Sequence, residues 1–488
     1  MRATVRLYNS LGRRVEDFTP LTAGRVGLYT CGPTVYGFQH LGNLRPYVFS
    51  DTLRRLLEWR GLAVTQVVNI TDVGHTVGEQ DLGADKVEEA AKAELRSVEE
   101  LTGHYAQAWR DDLAAVNVLA HTHQPKASEH VPRMIEFAKA LEAKGFTYPL
   151  PSGLYFDTSR SPGYGRLALA DLEGQRSGSR IGPVEGKRNA ADFALWRADA
   201  PGERRVMRWD SPWGPGVPGW HLECSVMSMD LLGERFDVHT GGVDHRQVHH
   251  VNEIAQSEAY LGTPWVPYWL HNEFVLVGGA KIAKSAGRMP LLSDLRASGY
   301  APMAYRWFLL TAQYRSQLDL TAEGLHAASA AYRRLLARVV PLRPLPSVPT
   351  ADAAHAALAG RSPAALAAAE RIDAALADDL NTPKALAELQ GVLRDDTLDD
   401  AGKAVVVAAA DQLLGLRLGD LDPDELAERG GELTVPVEYV EELVAAREVA
   451  RAERRWPDAD RLRDQLRDLG VRVTDTPDGP RWSAAPPG

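Results

Sequence analysis

The chain of 488 residues holds only two cysteines, and each sits in a polar setting. Cys31 lies in "LYTCGPTVYGFQHLGN" and Cys224 in "PGWHLECSVMS". A little further on, "VHHVNEIAQ" places His249 and Glu253 four residues apart. On a helix that spacing puts both side chains on one face. Thiolate, imidazole and carboxylate are all zinc ligands, so Cys31, Cys224, His249 and Glu253 form a candidate four-ligand set. Taken singly each has a plainer reading, as a small buried residue or half of a surface pair. The joint occurrence is what favours a metal.

Three further stretches suit a nucleotide. "HLGN", His40 to Asn43, falls between an expected strand and helix, where backbone and side-chain donors meet phosphates. "TGGVDH" offers Gly242 for close backbone approach and Asp244 for a ribose hydroxyl. "KIAKS" places Lys281 and Lys284 in one glycine-flanked loop. Only ten of the 55 basic residues are lysine, which makes that pair conspicuous. Two cations on a flexible loop suit a polyphosphate whose charge shifts during reaction. A solvated basic turn is the competing reading.

Particular elements must position these groups. "RVGLYTC" reads as a short buried strand over 25–31 and "AVTQVVNI" as a second over 63–70. Between them, Leu44, Tyr47, Val48, Leu53, Leu56 and Leu57 mark one stripe of a helix. This strand–loop–helix–strand unit predicts a parallel nucleotide-binding sheet. Residues 86–145 read as helical. Residues from about 146 to 220 turn irregular and rich in Gly, Pro and Trp, as an inserted module would. The alternation resumes at "RFDVHTGGVDH", and the Pro-rich "VVPLRPLPSVPT" separates off an Ala-rich helical region. The segment 447–488 carries nine arginines and eight acids, dense in Arg without being a polycation.

The bulk numbers exclude some classes. No apolar run approaches the ~18 residues that span a bilayer, so no membrane partner is expected. "MRATVRLYNS" has no apolar signal core, and two distant cysteines make no disulfide framework, so the cytoplasm is expected. The net charge of −10 argues against a chain coated in basic groups but leaves room for a local positive stripe.

In this order the stretches resemble one family: the class I aminoacyl-tRNA synthetases, and among them the cysteine-specific enzymes. "HLGN" stands where the family has His-Ile-Gly-His, and "KIAKS" where it has Lys-Met-Ser-Lys-Ser. "YTCGPTVY", "NITD", "PGWHLECS", "HHVNEIAQS", "DDLNTPKAL" and the tail from "DADRLRDQLRDLG" are similar to stretches of the cysteine enzymes. The resemblance implies one zinc per chain on Cys31, Cys224, His249 and Glu253 at the base of the amino-acid pocket. It implies that His40, Asn43 and Lys284 meet ATP phosphates, with Mg²⁺ accompanying the ATP. Thr71, Trp220 and His221 would line the pocket for L-cysteine. Asn43 departs from the family's second histidine, and an amide is likewise a donor. Ala283 replaces a serine, and "VGHTVGEQDLGADK" departs from the acidic continuation expected over 73–86.

The expected fold is α/β: a Rossmann-type doubly wound catalytic domain over 1–330, with a connective insertion at about 120–220. A helical tRNA-binding bundle over 331–425 and a small anticodon-binding domain over 437–488 should follow. The expected activity is ATP-dependent activation of cysteine and its transfer to tRNA(Cys), by a monomer. Cysteine would be chosen over serine through its thiolate on zinc. The alternatives are a cysteine:amino-sugar amide ligase of mycothiol biosynthesis and a non-catalytic tRNA-binding paralogue.

Overall fold

A computed structural model describes residues 3–73, 86–168, 186–200, 202, 205–277, 280–281, 290–420, 437–469, 471–476 and 479–484. The expected 73–86 loop lies almost entirely outside the described residues. So does the "KIAKS" loop beyond Lys281.

The centre is a four-stranded sheet in which every pairing is parallel. Its spatial order is Tyr268–Asn272, Val238–Gly242, Arg25–Thr30 and Ala63–Val68. Arg25–Thr30, the first strand of this sheet along the chain, therefore pairs with the second on one side and the third on the other. This reversal of winding is a topological switch point, and ligands collect outside the strand C-termini there. The apolar ends of these strands are buried on both faces, as a parallel sheet covered by helices requires.

Helix Leu41–Trp59 follows the first strand, and its stripe of Leu44, Tyr47, Val48, Leu53, Leu56 and Leu57 is buried as expected. Residues 86–145 are helical in pieces: Lys86–Ala93, Val98–Ala115 and Val131–Ala143. The stretch read as irregular is more ordered than its composition suggests. Strands Thr147–Leu150, Gly153–Phe156, Phe193–Ala198 and Gly216–Pro218 form an antiparallel sheet. Glycine is needed in it: a Cβ on Gly153 would lie 2.0 Å from the carbonyl oxygen of Trp196.

Helices Ala322–Val339, Ala351–Leu358, Pro363–Ala377, Thr382–Arg394 and Asp400–Leu414 form the bundle. Each starts at a residue whose side-chain oxygen accepts an N–H of the first turn: Thr321, Thr350, Ser362, Asn381 and Asp399. Helices Val437–Ala452 and Trp456–Asp468 with the hairpin Val471–Thr476/Gly479–Ala484 make the last unit. It has a small apolar core of its own around Val440, Leu443, Leu466 and Val471.

A buried ionic node ties bundle to sheet. Arg306, fully buried, donates to Asp51 Oδ2 at 2.6 Å, to the Leu414 carbonyl at 2.8 Å and to the Val116 carbonyl at 2.9 Å. Arg55 donates to the same Asp51 oxygen at 2.7 Å. Among the described residues no helix is long and apolar enough to cross a membrane.

Candidate active site

Cys31 follows directly on strand Arg25–Thr30, at the switch point, and its N–H donates to the Thr240 carbonyl of the neighbouring strand at 3.2 Å. The next residue must be glycine. A Cβ on Gly32 would lie 1.5 Å from the Asn69 carbonyl oxygen, and the Gly32 N–H donates to Asn69 Oδ1 at 2.8 Å. Asn69 Nδ2 in turn donates to Thr71 Oγ1 at 3.0 Å, and Thr71 to Glu223 Oε2 at 3.1 Å. This chain of bonds ties the Cys31 loop to helix Trp220–Leu232, which carries Cys224. Helix His249–Leu261 packs beside that helix and supplies His249 and Glu253 from one face, as the spacing required.

Ligand atoms of Cys31, Cys224, His249 and Glu253 all lie within 4.8 Å of one another, and all four residues are buried. His249 Nε2 is 3.4 Å from Cys224 Sγ and 3.0 Å from Glu253 Oε1. Ligands around a tetrahedral zinc are about 3.5 Å apart, so these separations suit one ion. Glu253 Oε1 is buried without a hydrogen-bond partner, whereas His239 Nε2 holds Oε2 at 3.0 Å. The Cys31 thiol and the Glu253 carboxyl, sealed from water, are costly to ionise. Burial pushes Cys31 well above its ordinary pKa, with Cys224 and Glu253 adding to the effect, and burial likewise raises Glu253. A divalent cation reverses that penalty, so the donor set fits a metal.

A second set overlaps the first. Cys31, His239, His250 and Glu253 also come within 4.8 Å of one another. His250 Nε2 is 3.2 Å from Cys31 Sγ, while its Nδ1 is 2.8 Å from His271 Nε2. Burial holds His239 down at about 3, so it is neutral. His239, His250 and Asn69 escaped the sequence reading. The His–His doublet at 249–250 and the histidine inside "VHTGG" were the available signals.

Over these groups opens a cleft of about 500 Å³. Cys31, Cys224 and His249 form part of its wall, together with Thr71 and Trp220. Trp220 stacks on His249 with centroids 4.2 Å apart. His40, Asn43, Gly242 and Asp244 line the same cleft. Asn43 Oδ1 accepts the His40 N–H at 3.2 Å, which caps helix Leu41–Trp59 and leaves the amide NH₂ as a donor. Glu253 and His221 do not line the cleft. Glu253 is fully buried behind the wall. His221, expected in the wall, is one layer back with Nδ1 2.9 Å from His249 Nδ1, because it points inward from its helix. Lys281 lies in the short strand Ala280–Lys281, and Lys284 falls outside the described residues.

Comparison with known proteins gives concordant results. Residues 17–330 match the family model "tRNA synthetases class I (C) catalytic domain", and residues 437–482 match "Cysteinyl-tRNA ligase anticodon binding domain". A protein named cysteine–tRNA ligase from Novosphingobium aromaticivorans is 46% identical over 492 residues, covering 99% of this chain and 98% of its own length. One of the same name from Thermus thermophilus is 40% identical over 484 residues, covering 98% of each. In fold, the chain is similar to Mycobacterium tuberculosis methionyl-tRNA synthetase in complex with methionyl-adenylate. The TM-score is 0.51 at 13% identity, over 81% of this chain and 90% of that one.

Proposed function

The chain belongs to the cysteine-specific family of class I aminoacyl-tRNA synthetases, and from that premise we propose how its cleft carries out the reaction. It is a cysteine–tRNA ligase, which activates L-cysteine with ATP and transfers it to tRNA. In the first step a carboxylate oxygen of cysteine attacks the α-phosphorus of ATP. The bond to the bridging oxygen breaks and pyrophosphate leaves with its electron pair. Negative charge grows on the phosphate oxygens, and fixed donors at that point lower the barrier. Our reading gives this role to His40 and to the Asn43 amide, with Gly242 and Asp244 receiving the nucleoside. Lys284, with Lys281 beside it, would follow the pyrophosphate, and Mg²⁺ would accompany the ATP.

One observation carries the reading: Cys31, Cys224 and His249 of the four-residue cluster line the same cleft as His40 and Asn43, with Glu253 buried directly behind them. We assign zinc to this set. Three of its members line the cleft, whereas His239 and His250 do not. When bound, the zinc would supply a soft Lewis acid that favours a thiolate over a hydroxyl. His239 holds the far oxygen of Glu253 and so turns Oε1 toward the other three ligands. Trp220 and Thr71 shape the space left for the amino acid. Pocket shape alone separates cysteine from serine poorly, by roughly 10–200-fold.

The acceptor is tRNA(Cys), held by the bundle over about 331–425 and by the 437–488 unit, with the latter at the anticodon. The match over 437–482 supports a tRNA acceptor and not an amino sugar. One chain supplies every group of the cleft, so a monomer suffices. Two unpaired cysteines suit the cytoplasm.

The test is ATP–pyrophosphate exchange and tRNA charging with cysteine and with serine. Exchange and charging should both depend on cysteine, with serine inactive. Exchange without charging would point to the amide ligase, and neither activity to a non-catalytic paralogue.

A further inference from the structure

We propose that Arg334, Arg338 and Arg394 form a phosphate-binding notch on the helical bundle that grips the backbone of a bound nucleic acid. The site rests on the tRNA reading above. It lies between the two matched regions, 17–330 and 437–482, and neither covers it.

The three arginines line one recess of about 110 Å³, with Gln390 and the apolar Leu335 and Leu393 as its floor. Arg334 and Arg338 come one turn apart from helix Ala322–Val339, and Arg394 ends the facing helix Thr382–Arg394. All three are exposed. Arg394 is held by its own Nε donating to the Gln390 carbonyl at 3.1 Å. No acidic group among the described residues pairs with any of them. Position in the last helical turn accounts for Arg338 and Arg394 individually, since a cation there offsets the helix dipole. It does not account for Arg334, nor for a like-charge pair one turn apart, which disfavours the helix unless an anion lies between.

By composition the Arg-rich segment 447–488 is the obvious cationic surface. Yet Arg447, Arg451, Arg455, Arg461, Arg463 and Arg467 each pair with a neighbouring acid. Each of these six has an acid within 4 Å, Glu448 and Asp458 being shared by two apiece, whereas no acid among the described residues reaches the notch. In a chain of net charge −10 an uncompensated trio of guanidiniums is a local positive field. The guanidinium fork matches phosphate oxygens bidentately. Contacts of this kind fix register without reading sequence.

The experiment compares the full-length enzyme with Arg334→Gln/Arg338→Gln/Arg394→Gln and with the corresponding triple Lys variant, using transcribed tRNA(Cys) and a non-cognate tRNA. Binding is measured across a salt series. The Gln variant should bind both tRNAs at least about tenfold more weakly at low salt. Its salt slope should fall in magnitude by roughly 2 to 3, about one counterion per lost phosphate contact. The Lys variant should restore the slope, and cysteine-dependent pyrophosphate exchange should stay at the wild-type rate in both variants. Unchanged affinity and slope would overturn the proposal, as would weaker binding with an unchanged slope. A wild-type enzyme that charged no tRNA would instead strike at the reading on which the notch rests.

Discussion

Whether His249 can present a lone pair to a metal depends on one proton. Its Nδ1 lies 2.9 Å from His221 Nδ1, so one of the two rings must donate. If His249 Nε2 faces the metal, His249 Nδ1 carries the hydrogen and His221 accepts it. His221 thus fixes the tautomer, and His221→Ala should weaken zinc retention about 10–100-fold. Competition with a chromophoric chelator measures this, and unchanged affinity would refute the assignment. Asn43 offers a sharper separation of roles. Asn43→Asp keeps the oxygen that caps helix Leu41–Trp59 but replaces the NH₂ donor by negative charge. Thermal stability should hold while the exchange rate falls by about 10²-fold, comparable to losing a transition-state donor. At this scale the sequence was legible where residue types were rare: two cysteines, ten lysines, and a His–Glu pair at helical spacing. It was silent on His239, His250 and Asn69, and it placed His221 in the pocket wall and not against His249, because these roles come from packing between segments far apart in the chain.

Helices and strands bring the ligands together only if the loop after the first strand passes close to Asn69. Gly32→Ala puts a methyl where the Asn69 carbonyl already lies, 1.5 Å away, and no flexible side chain can yield. The loop must move. The variant should lose about 3 kcal/mol or more of stability, with metal content falling alongside. Denaturant unfolding and metal analysis of the same preparation would check both. The parallel sheet and its first helix were readable because strand and helix periods are local. The insertion's antiparallel sheet was not, because its strands are of three to six residues and two of its three pairings cross long gaps. Gly153, Gly216 and Gly219 there serve close backbone approach.

Across the whole molecule, the Asp51–Arg55–Arg306 node holds the bundle against the catalytic sheet. Burial alone would push the Asp51 carboxyl up, but the guanidiniums of Arg55 and Arg306 outweigh it and hold the carboxyl below its ordinary range. Burial lowers Arg306 as well, but from so high a starting value that the guanidinium stays charged. A carboxyl with a depressed folded pKa contributes stability above its unfolded value, and that contribution is lost as pH falls through the folded one. Stability should therefore drop as pH falls below about 4, and Arg306→Leu should flatten that part of the profile. The variant should also cost about 3 kcal/mol, because buried Asp51 would keep only Arg55 as a counter-charge and the Leu414 and Val116 carbonyls would lose their donor. At the other end, deleting 437–488 should spare cysteine-dependent exchange and impair charging, since that unit packs around its own core. Full charging by the truncated chain at low tRNA concentration would contradict the anticodon role. Everything proposed for the cleft requires that the metal held by the buried tetrad meet the substrate where Cys31, Cys224 and His249 line it. The most direct measurement is the absorption spectrum of the Co²⁺-substituted enzyme. Added cysteine should shift the sulfur-to-metal charge-transfer band and serine should not. A spectrum indifferent to cysteine would mean that the metal only braces the fold.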